Sequence, residues 1–163
     1  PEQLTFLQID PILVQIAATD NLSGVETLEV SFRGETADNP FALDPLSQSV
    51  GEYQILVTAI DRAGHRSDKE FTLVVMMDID HLDELIAFGY DHGWISNAGI
   101  RTSLLTHVKN IQREHDKGRA DHVHNMLEAM TNFVKAQKGK HIDEWFATII
   151  LEDLEYISNS IGN

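Results

Sequence analysis

The sequence contains no cysteine, few basic residues and no long apolar run. The absence of cysteine among the 163 residues excludes disulfides, thiolate metal sites and cysteine nucleophiles. Twelve Lys and Arg residues against 26 Asp and Glu residues give a net charge of −14. DNA, RNA and anionic membranes are recognised through basic patches, so we expect no nucleic-acid partner and no membrane-surface partner. No run approaches the roughly 18 apolar residues that cross a bilayer, so no membrane span is predicted.

Composition and length favour folded domains. A hydrophobic fraction of 42% is sufficient for packed cores, and 163 residues can form one domain or two small ones. The visible chain carries no signal peptide and opens on Pro1-Glu2-Gln3. This beginning suggests a piece of a longer protein, with any export signal outside the sequence.

Alternating apolar residues predict strands in the N-terminal half. A turn cluster at residues 19–24 and another at 61–64 separate the alternating sets, and residues 34–40 are predicted to be a polar loop. The pattern predicts a small antiparallel β-sandwich over residues 1–77 that lacks its first strand. The inward residues of the predicted strands are Ile12, Val14 and Ile16; Leu28, Val30 and Phe32; Phe41 and Leu43; Tyr53, Ile55 and Val57; and Phe71, Leu73 and Val75.

The periodicity changes to that of helices in residues 78–163. Asp78 or Asp80 can cap a first helix that ends at Gly93, and a second helix is predicted from near Asn97 to about Asp116. A third helix ends at Gly139, and the fourth follows at once. Short connections make neighbouring helices antiparallel, so an all-α, up-and-down bundle of about four helices is predicted. The apolar row of the fourth helix is expected to include Trp145 in the core.

Two turn motifs in the β half resemble a known family. Residues 19–25 read Thr-Asp-Asn-Leu-Ser-Gly-Val, and residues 59–65 read Ala-Ile-Asp-Arg-Ala-Gly-His. They are similar to the "D-x-x-S-G-V" and "A-x-D-x-A-G-N" motifs of bacterial immunoglobulin-like repeats, with His65 in place of the usual asparagine. The resemblance covers most of residues 10–77. It implies an immunoglobulin-like domain of the kind that serves as a spacer in extracellular multidomain proteins.

The helical half resembles a second family. Residues 93–100 read Gly-Trp-Ile-Ser-Asn-Ala-Gly-Ile, and residues 136–142 read Ala-Gln-Lys-Gly-Lys-His-Ile. These segments are similar to the FIMAH-type domain, a helical module at the C-termini of bacterial secreted enzymes. Later alanines of the family pattern are replaced here by Glu, Asp, Leu and Glu at residues 152–155. Family members follow glycoside hydrolases, polysaccharide lyases and proteases, and the resemblance implies no activity of the module itself.

Four residues of the β half allow two interpretations. Asp20 and Asp61 lie in turns, where a carboxylate commonly accepts hydrogen bonds from nearby backbone N–H groups. Alternatively, Asp20, Asn21, Asp61 and Asp68 could surround a structural calcium ion, which takes six to eight oxygen ligands. The sequence lacks a calcium loop of fixed spacing, so turn capping is the favoured interpretation.

No arrangement of residues indicates catalysis. His122 and His124 are two residues apart and point in nearly opposite directions on a helix, and no HExxH spacing exists. Adjacent carboxylates such as Asp143-Glu144 or Glu152-Asp153 diverge on a helix, which does not support acid–base chemistry. The fragment is therefore predicted to be non-catalytic, with no cofactor other than the structural calcium considered above.

The resemblances imply a function as an accessory region. We expect a non-catalytic C-terminal part of a secreted bacterial enzyme, a glycoside hydrolase or polysaccharide lyase, that acts as spacer and stabiliser or attaches the enzyme to substrate or cell surface. Its partners would be the catalytic domain of the same polypeptide and a polysaccharide or cell wall. The alternative is a carbohydrate-binding module that uses Trp94 and Tyr90, because exposed flat rings can stack on sugar faces.

Overall fold

A computed structural model describes residues 2–161, which divide between Met76 and Met77 into two compact units. We refer to residues 2–76 as the β unit and to residues 77–161 as the helical unit. The boundary predicted from the sequence lies one residue later, after Met77. The outermost ends of the two predicted domains, residue 1 and residues 162–163, lie outside the described residues.

The β unit contains two sheets. The larger sheet has five strands in the order β1-β7-β6-β3-β4, and the smaller sheet pairs β2 with β5. From residue 2 to residue 76 the strands are β1 (Glu2–Leu7), β2 (Ile12–Val14), β3 (Val25–Phe32), β4 (Glu35–Ala37), β5 (Phe41–Leu43), β6 (Gly51–Asp61) and β7 (Arg66–Met76).

The two sheets share one hydrophobic core, which makes the β unit a sandwich. Ile12 and Val14 of the small sheet pack with the inward side chains of the large sheet, and the alternation predicted from the sequence accounts for these contacts. The prediction of strands around residues 12–14, 28–32, 41–43, 53–57 and 71–75 is confirmed. The buried members of this core are Ile12, Val14, Val30, Ile55, Val57, Leu73 and Val75.

The structure corrects the strand prediction at two places. Strand β1 was not predicted, and it pairs with β7 in parallel, with Glu2 opposite Phe71, so the sandwich is not wholly antiparallel. Residues 34–40 are not all loop, because β4 forms a hairpin with β3. The two residues of its turn, Arg33 and Gly34, both have positive φ, at 57° and 82°. This combination matches the right-handed twist of a two-residue hairpin.

The helical unit follows the predicted order. In residues 77–161 a 3₁₀ turn (Ile79–His81) leads into α1 (Leu82–Asp91), followed by α2 (Ala98–Asp116), α3 (Ala120–Gln137) and α4 (Glu144–Ser160). Each helix packs against the next along the chain, as an up-and-down bundle requires. No helix among residues 2–161 is long and apolar enough to cross a membrane.

Side-chain caps and glycines set the ends of these helices. Asp78 accepts a hydrogen bond from the His81 backbone N–H, Asn97 caps α2, and Asp143 caps α4. Gly118 and Gly139 follow α2 and α3 with φ of 67° and 71°. This left-handed conformation ends a helix at little cost only for glycine.

The apolar rows of the four helices form the core of the helical unit, which also contains one acidic side chain. Leu85, Leu104, Leu127 and Phe146 are each 2% exposed or less, as the periodicity predicts. Asp153 of α4, an acidic residue, is fully buried with them. The prediction that Trp145 lies in the core is wrong, since its exposed fraction is 49%. Trp145 precedes the inward-facing Phe146 by one helical position and is therefore rotated out of the buried row.

Candidate functional site

The two turn carboxylates of the β unit lie close together. Asp20 accepts hydrogen bonds from the backbone N–H groups of Ser23 and Gly24, at 2.8 and 2.7 Å. The Ser23 hydroxyl is within 2.8 Å of an Asp20 oxygen and 3.0 Å of an Asp61 oxygen. Asp61 also accepts from the backbone N–H of Ala63 and from that of His65. These bonds are those expected of carboxylates that cap turns.

The protonation of this turn pair follows from its hydrogen bonds. The Ser23 hydroxyl is the main cause of the lowered pKa of Asp20. The His65 ring, with its Nδ1 at 2.9 Å from Asp61, lowers the pKa of Asp61 and has its own pKa raised by the same contact. Both carboxylates are thus ionised at neutral pH and already occupied by donors.

The other two residues of the calcium hypothesis are Asp68, which has hydrogen-bond partners of its own, and Asn21, which follows Asp20 in the same turn. Asp68 accepts from the Thr58 hydroxyl at 2.6 Å and from Arg66 Nε at 3.0 Å, and the Thr58 bond is the main cause of its lowered pKa. Asn21 is exposed in the loop. Among the described residues, no group of three or more His, Asp or Glu side chains is arranged to hold a metal ion.

An aromatic cluster lies where the α1–α2 connection meets the start of α4. Trp94 stacks on His92, with ring centroids 4.7 Å apart, and His92 stacks on Phe88 at 4.2 Å. Trp94 meets Trp145 edge to face at 5.0 Å and an interplanar angle of 80°. Phe146 contacts Trp94 from the core side at 5.4 Å. We call the pair Trp94 and Trp145 the indole corner.

Backbone hydrogen bonds between two loops hold the indole corner. The Asp143 N–H donates to the Trp94 carbonyl at 2.8 Å, and the Ser96 N–H donates to the His141 carbonyl at 2.9 Å. Ile95 and Ile142, both buried, form a bridge between the same loops. These backbone contacts join the loop that carries Trp94 to the loop that leads to Trp145, and so they fix the positions of both tryptophans.

A shallow groove of about 450 Å³ adjoins Trp94. It is lined by Gly93 and Trp94 and by the polar side chains of Ser96, Lys140, His141, Asp143 and Glu144. The Asp143 carboxylate is engaged as the N-cap of α4. The groove therefore places hydrogen-bonding side chains beside an aromatic surface.

Tyr90 was predicted to bind carbohydrate together with Trp94, but its ring contact differs from those of Trp94. The guanidinium carbon of Arg101 lies over the Tyr90 ring at 4.8 Å from its centroid. The ring contacts of Trp94 are with Phe88, His92, Trp145 and Phe146. Trp145 was not predicted to be the neighbour of Trp94, although its position one residue before the buried Phe146 indicates that it faces outward.

The histidines of the helical unit mostly have structural contacts. His81 Nδ1 lies 2.6 Å from Asp78, which raises the pKa of His81. His124 contacts the Ser158 hydroxyl at 3.0 Å and the Ile161 carbonyl at 2.7 Å, and so ties α3 to the end of α4. His122 instead lies 3.8 Å from Glu114. His122 and His124 thus have separate partners, as their spacing predicted.

Two acidic residues of the helical unit have opposite environments. Glu114 accepts from Lys117 at 2.8 Å and Arg119 at 3.0 Å, and these bonds, Lys117 first, lower its pKa to about 2. Asp153 has no hydrogen-bond partner for either carboxylate oxygen. Burial, followed by the negative charge of Glu152, raises the pKa of Asp153 to about 8. Glu114 joins the end of α2 to the following turn, whereas Asp153 is a neutral acid in the core.

The comparison with protein families identifies the helical unit. The family model described as the FIMAH domain matches residues 79–159. The helical unit is a FIMAH domain, as the two motifs at residues 93–100 and 136–142 predicted.

The comparisons with solved structures and with curated proteins add little about this chain. The solved structure described as "Structures of Clostridium thermocellum CbhA fibronectin(III)-like modules" is similar over 46% of this chain and 89% of that chain, with 16% identity and a TM-score of 0.33. A comparison with curated proteins gave no match. The sandwich architecture of the β unit therefore rests on its own strands and register. A β module joined to a FIMAH domain is an accessory type of segment in a multidomain protein, and such domains are generally non-catalytic.

Proposed function

We propose that this chain is a non-catalytic accessory region of a secreted bacterial enzyme that acts on polysaccharide. The β unit serves as a spacer, and the FIMAH domain attaches the catalytic domain of the same polypeptide to a polysaccharide or cell wall. The resemblance of the turns at residues 19–25 and 59–65 to extracellular spacer repeats supports the extracellular location. The parent enzyme would be a glycoside hydrolase or a polysaccharide lyase.

The observation that carries the attachment function is the exposed face of the aromatic cluster. Trp145 is 49% exposed although burial of an indole would stabilise the fold. Its neighbour Trp94 is supported from behind by His92 and Phe88. An aromatic surface that the fold supports and leaves in water is a common feature of binding sites.

The narrower alternative is a carbohydrate-binding module that uses Trp94 and Tyr90. The Arg101 guanidinium over the Tyr90 ring occupies one face of that ring. Trp145 contacts Trp94 directly and is more exposed than Tyr90. We therefore favour Trp94 and Trp145, rather than Trp94 and Tyr90, as the carbohydrate-binding pair.

A retention experiment tests the attachment function. The purified chain is incubated with insoluble cellulose, chitin, xylan and isolated bacterial cell walls, and the bound fraction is compared with that of serum albumin. Retention on at least one material is the expected result. Retention on none would contradict attachment, and the accessory role would then be limited to spacing and stabilisation.

A further inference from the structure

We propose that the indole corner binds the sugar rings of a neutral polysaccharide, whose hydroxyl groups bond to the side chains of the adjacent groove. This inference rests on the attachment function proposed above and narrows it to one site and one chemical class of ligand. It assigns a binding role to Trp145, and it assigns supporting roles to Lys140 and Glu144.

The surroundings of Trp145 favour an amphipathic ligand over an apolar one. Within residues 77–161, Trp145 is the one large hydrophobic side chain that is exposed, with an exposed fraction of 49%. A protein helix or a lipid surface would need a continuous apolar area, and this one exposed indole does not provide it. Trp145 contacts Trp94, which lines the polar groove, and follows the groove residue Glu144 in the sequence. A sugar ring presents an apolar C–H face and a rim of hydroxyl groups, which matches an indole with polar side chains next to it.

The groove supplies both hydrogen-bond donors and acceptors. In the part of the chain that the structure describes, the side chains of Lys140 and Glu144 have no hydrogen-bond partner and are exposed. Lysine can only donate and an ionised glutamate can only accept, whereas a sugar hydroxyl does both. The Ser96 hydroxyl, which also lines the groove, can both donate and accept a hydrogen bond.

The charge of the site selects against acidic polysaccharides. The groove carries one lysine, Lys140, against the two carboxylates of Asp143 and Glu144. The whole chain carries a net charge of −14, which repels a polyanion at long range. A uronic-acid or sulfated polymer would therefore meet repulsion at the groove and from the rest of the chain, and a neutral polymer would not.

The site is held in shape before any ligand binds. The two loops that carry Trp94 and lead to Trp145 are joined by the Asp143–Trp94 and Ser96–His141 backbone hydrogen bonds. Trp94 also packs between His92, Trp145 and Phe146. Because little conformational freedom remains to be lost, even a small contact area can bind a repetitive polymer.

Affinity electrophoresis tests the inference. The full chain is run through gels that contain hydroxyethyl cellulose or galactomannan, which are neutral, or polygalacturonate, which is acidic. We expect retardation by at least one neutral polymer and none by polygalacturonate. Trp145→Ala should weaken the binding about tenfold or more, as loss of an aromatic anchor does, and Trp145→Phe should weaken it less.

Two control variants distinguish binding at the indole corner from nonspecific binding. Leu22→Ala removes a 98% exposed side chain of the β unit, and Tyr90→Phe preserves the ring beneath Arg101. Both should bind like the unchanged chain. Circular dichroism of Trp145→Ala should show unchanged helix content, since the side chain is half outside the fold. If Trp145→Ala unfolds, Trp145→Phe and Glu144→Gln provide the measurement, and both should weaken binding.

Several results would overturn the inference. These are full binding by folded Trp145→Ala, retardation by polygalacturonate alone, or no retardation by either neutral polymer. If the chain is nevertheless retained on cell walls or another insoluble material, the attachment function stands and only this site and ligand class are wrong. Loss of both retention and retardation contradicts the attachment function as well.

Discussion

Asp153 is an acidic residue that lies in the apolar core of the helical unit. Its carboxyl group is fully buried without a hydrogen-bond partner, so the charged form would be costly there. The protonated form is favoured in the folded chain, with a pKa of about 8, while the unfolded chain titrates near the ordinary value of 3.8. Folding therefore takes up a proton between about pH 4 and pH 8.

The first prediction follows from this proton uptake. As pH rises from about 4 to 8, the contribution of Asp153 to the free energy of unfolding should fall, by up to ~1.4 kcal/mol per pH unit. Asp153→Asn keeps the shape and removes the titration, so the variant should exceed the original chain in stability at pH 7.5 and match it more closely at pH 4.5. Urea unfolding monitored by tryptophan fluorescence measures both. Parallel pH profiles for the two proteins would contradict the prediction.

The turn carboxylates of the β unit give the second prediction. Asp20 and Asp61 each accept backbone N–H bonds within their turns and share the Ser23 hydroxyl, so we expect the turns to be stable without a calcium ion. Neither excess EDTA nor added calcium chloride should change the melting midpoint of the β signal in circular dichroism. A calcium site would instead add about 2.7 kcal/mol at a calcium concentration 100-fold above its Kd. Stabilisation by calcium that is lost in Asp61→Asn would show that the ion does bind.

Residues were predictable from the sequence where a local pattern decides their role. The capping role of Asp20 and Asp61 follows from turn chemistry within four residues. The burial of Asp153 was not predicted, because Glu152 and Asp153 were considered only as a pair for acid–base chemistry. The signal was present: Phe146, Ile150, Asp153 and Ile157 recur at helical spacing along one face of α4, and all are buried. Trp145 precedes Phe146 by one residue and therefore lies off this buried face, which accounts for its exposure.

At the scale of elements, α1 and α4 meet at a glycine. A Cβ atom at Gly89 would overlap the ring of Phe146, whose Cδ1 would lie at 2.9 Å. The close approach is possible only because Gly89 has no side chain. The contact joins the first helix of the bundle to the last.

The third prediction concerns this contact. Gly89→Ala should gain up to ~1 kcal/mol in helix propensity but lose ~1–3 kcal/mol to overpacking, so the net effect should be destabilising. In a double-mutant cycle, Phe146→Leu should relieve part of the cost of Gly89→Ala, although Phe146→Leu alone should also destabilise. Chemical denaturation of the four proteins gives the coupling energy. Strict additivity of the two changes would argue against the contact.

Elements with local signals were predicted well, and those with distant partners were not. The caps Asp78, Asn97 and Asp143 and the glycines at positions 93, 118 and 139 are local signals, so the four helices were predicted close to their observed ends. Strand β1 was missed because its partner β7 is nearly 70 residues away and the pair is parallel. Strand β4 was missed because Arg33 is an unusual residue for the left-handed position of a hairpin turn. The groove beside Trp94 depends on two loops more than 40 residues apart and has no signal in either segment alone.

At the scale of the whole molecule, each unit has its own hydrophobic core. The core of the β unit is formed by its two sheets, and that of the helical unit by the inward rows of four helices. Both tryptophans of the chain lie in the helical unit, at positions 94 and 145. Tryptophan fluorescence therefore reports on the helical unit alone, which allows the units to be followed separately.

The fourth prediction uses this separation. A fragment of residues 77–163 should fold without the β unit and show a cooperative unfolding transition in tryptophan fluorescence, because its buried apolar residues pack among themselves. In the full chain, Leu85→Ala should destabilise that transition by about 2–5 kcal/mol. Ile55→Ala, an equally buried truncation in the β core, should leave it in place and should reduce the β signal in circular dichroism. A fragment without a cooperative transition, or a fluorescence transition that moves equally in both variants, would show that the FIMAH domain depends on the β unit for its fold.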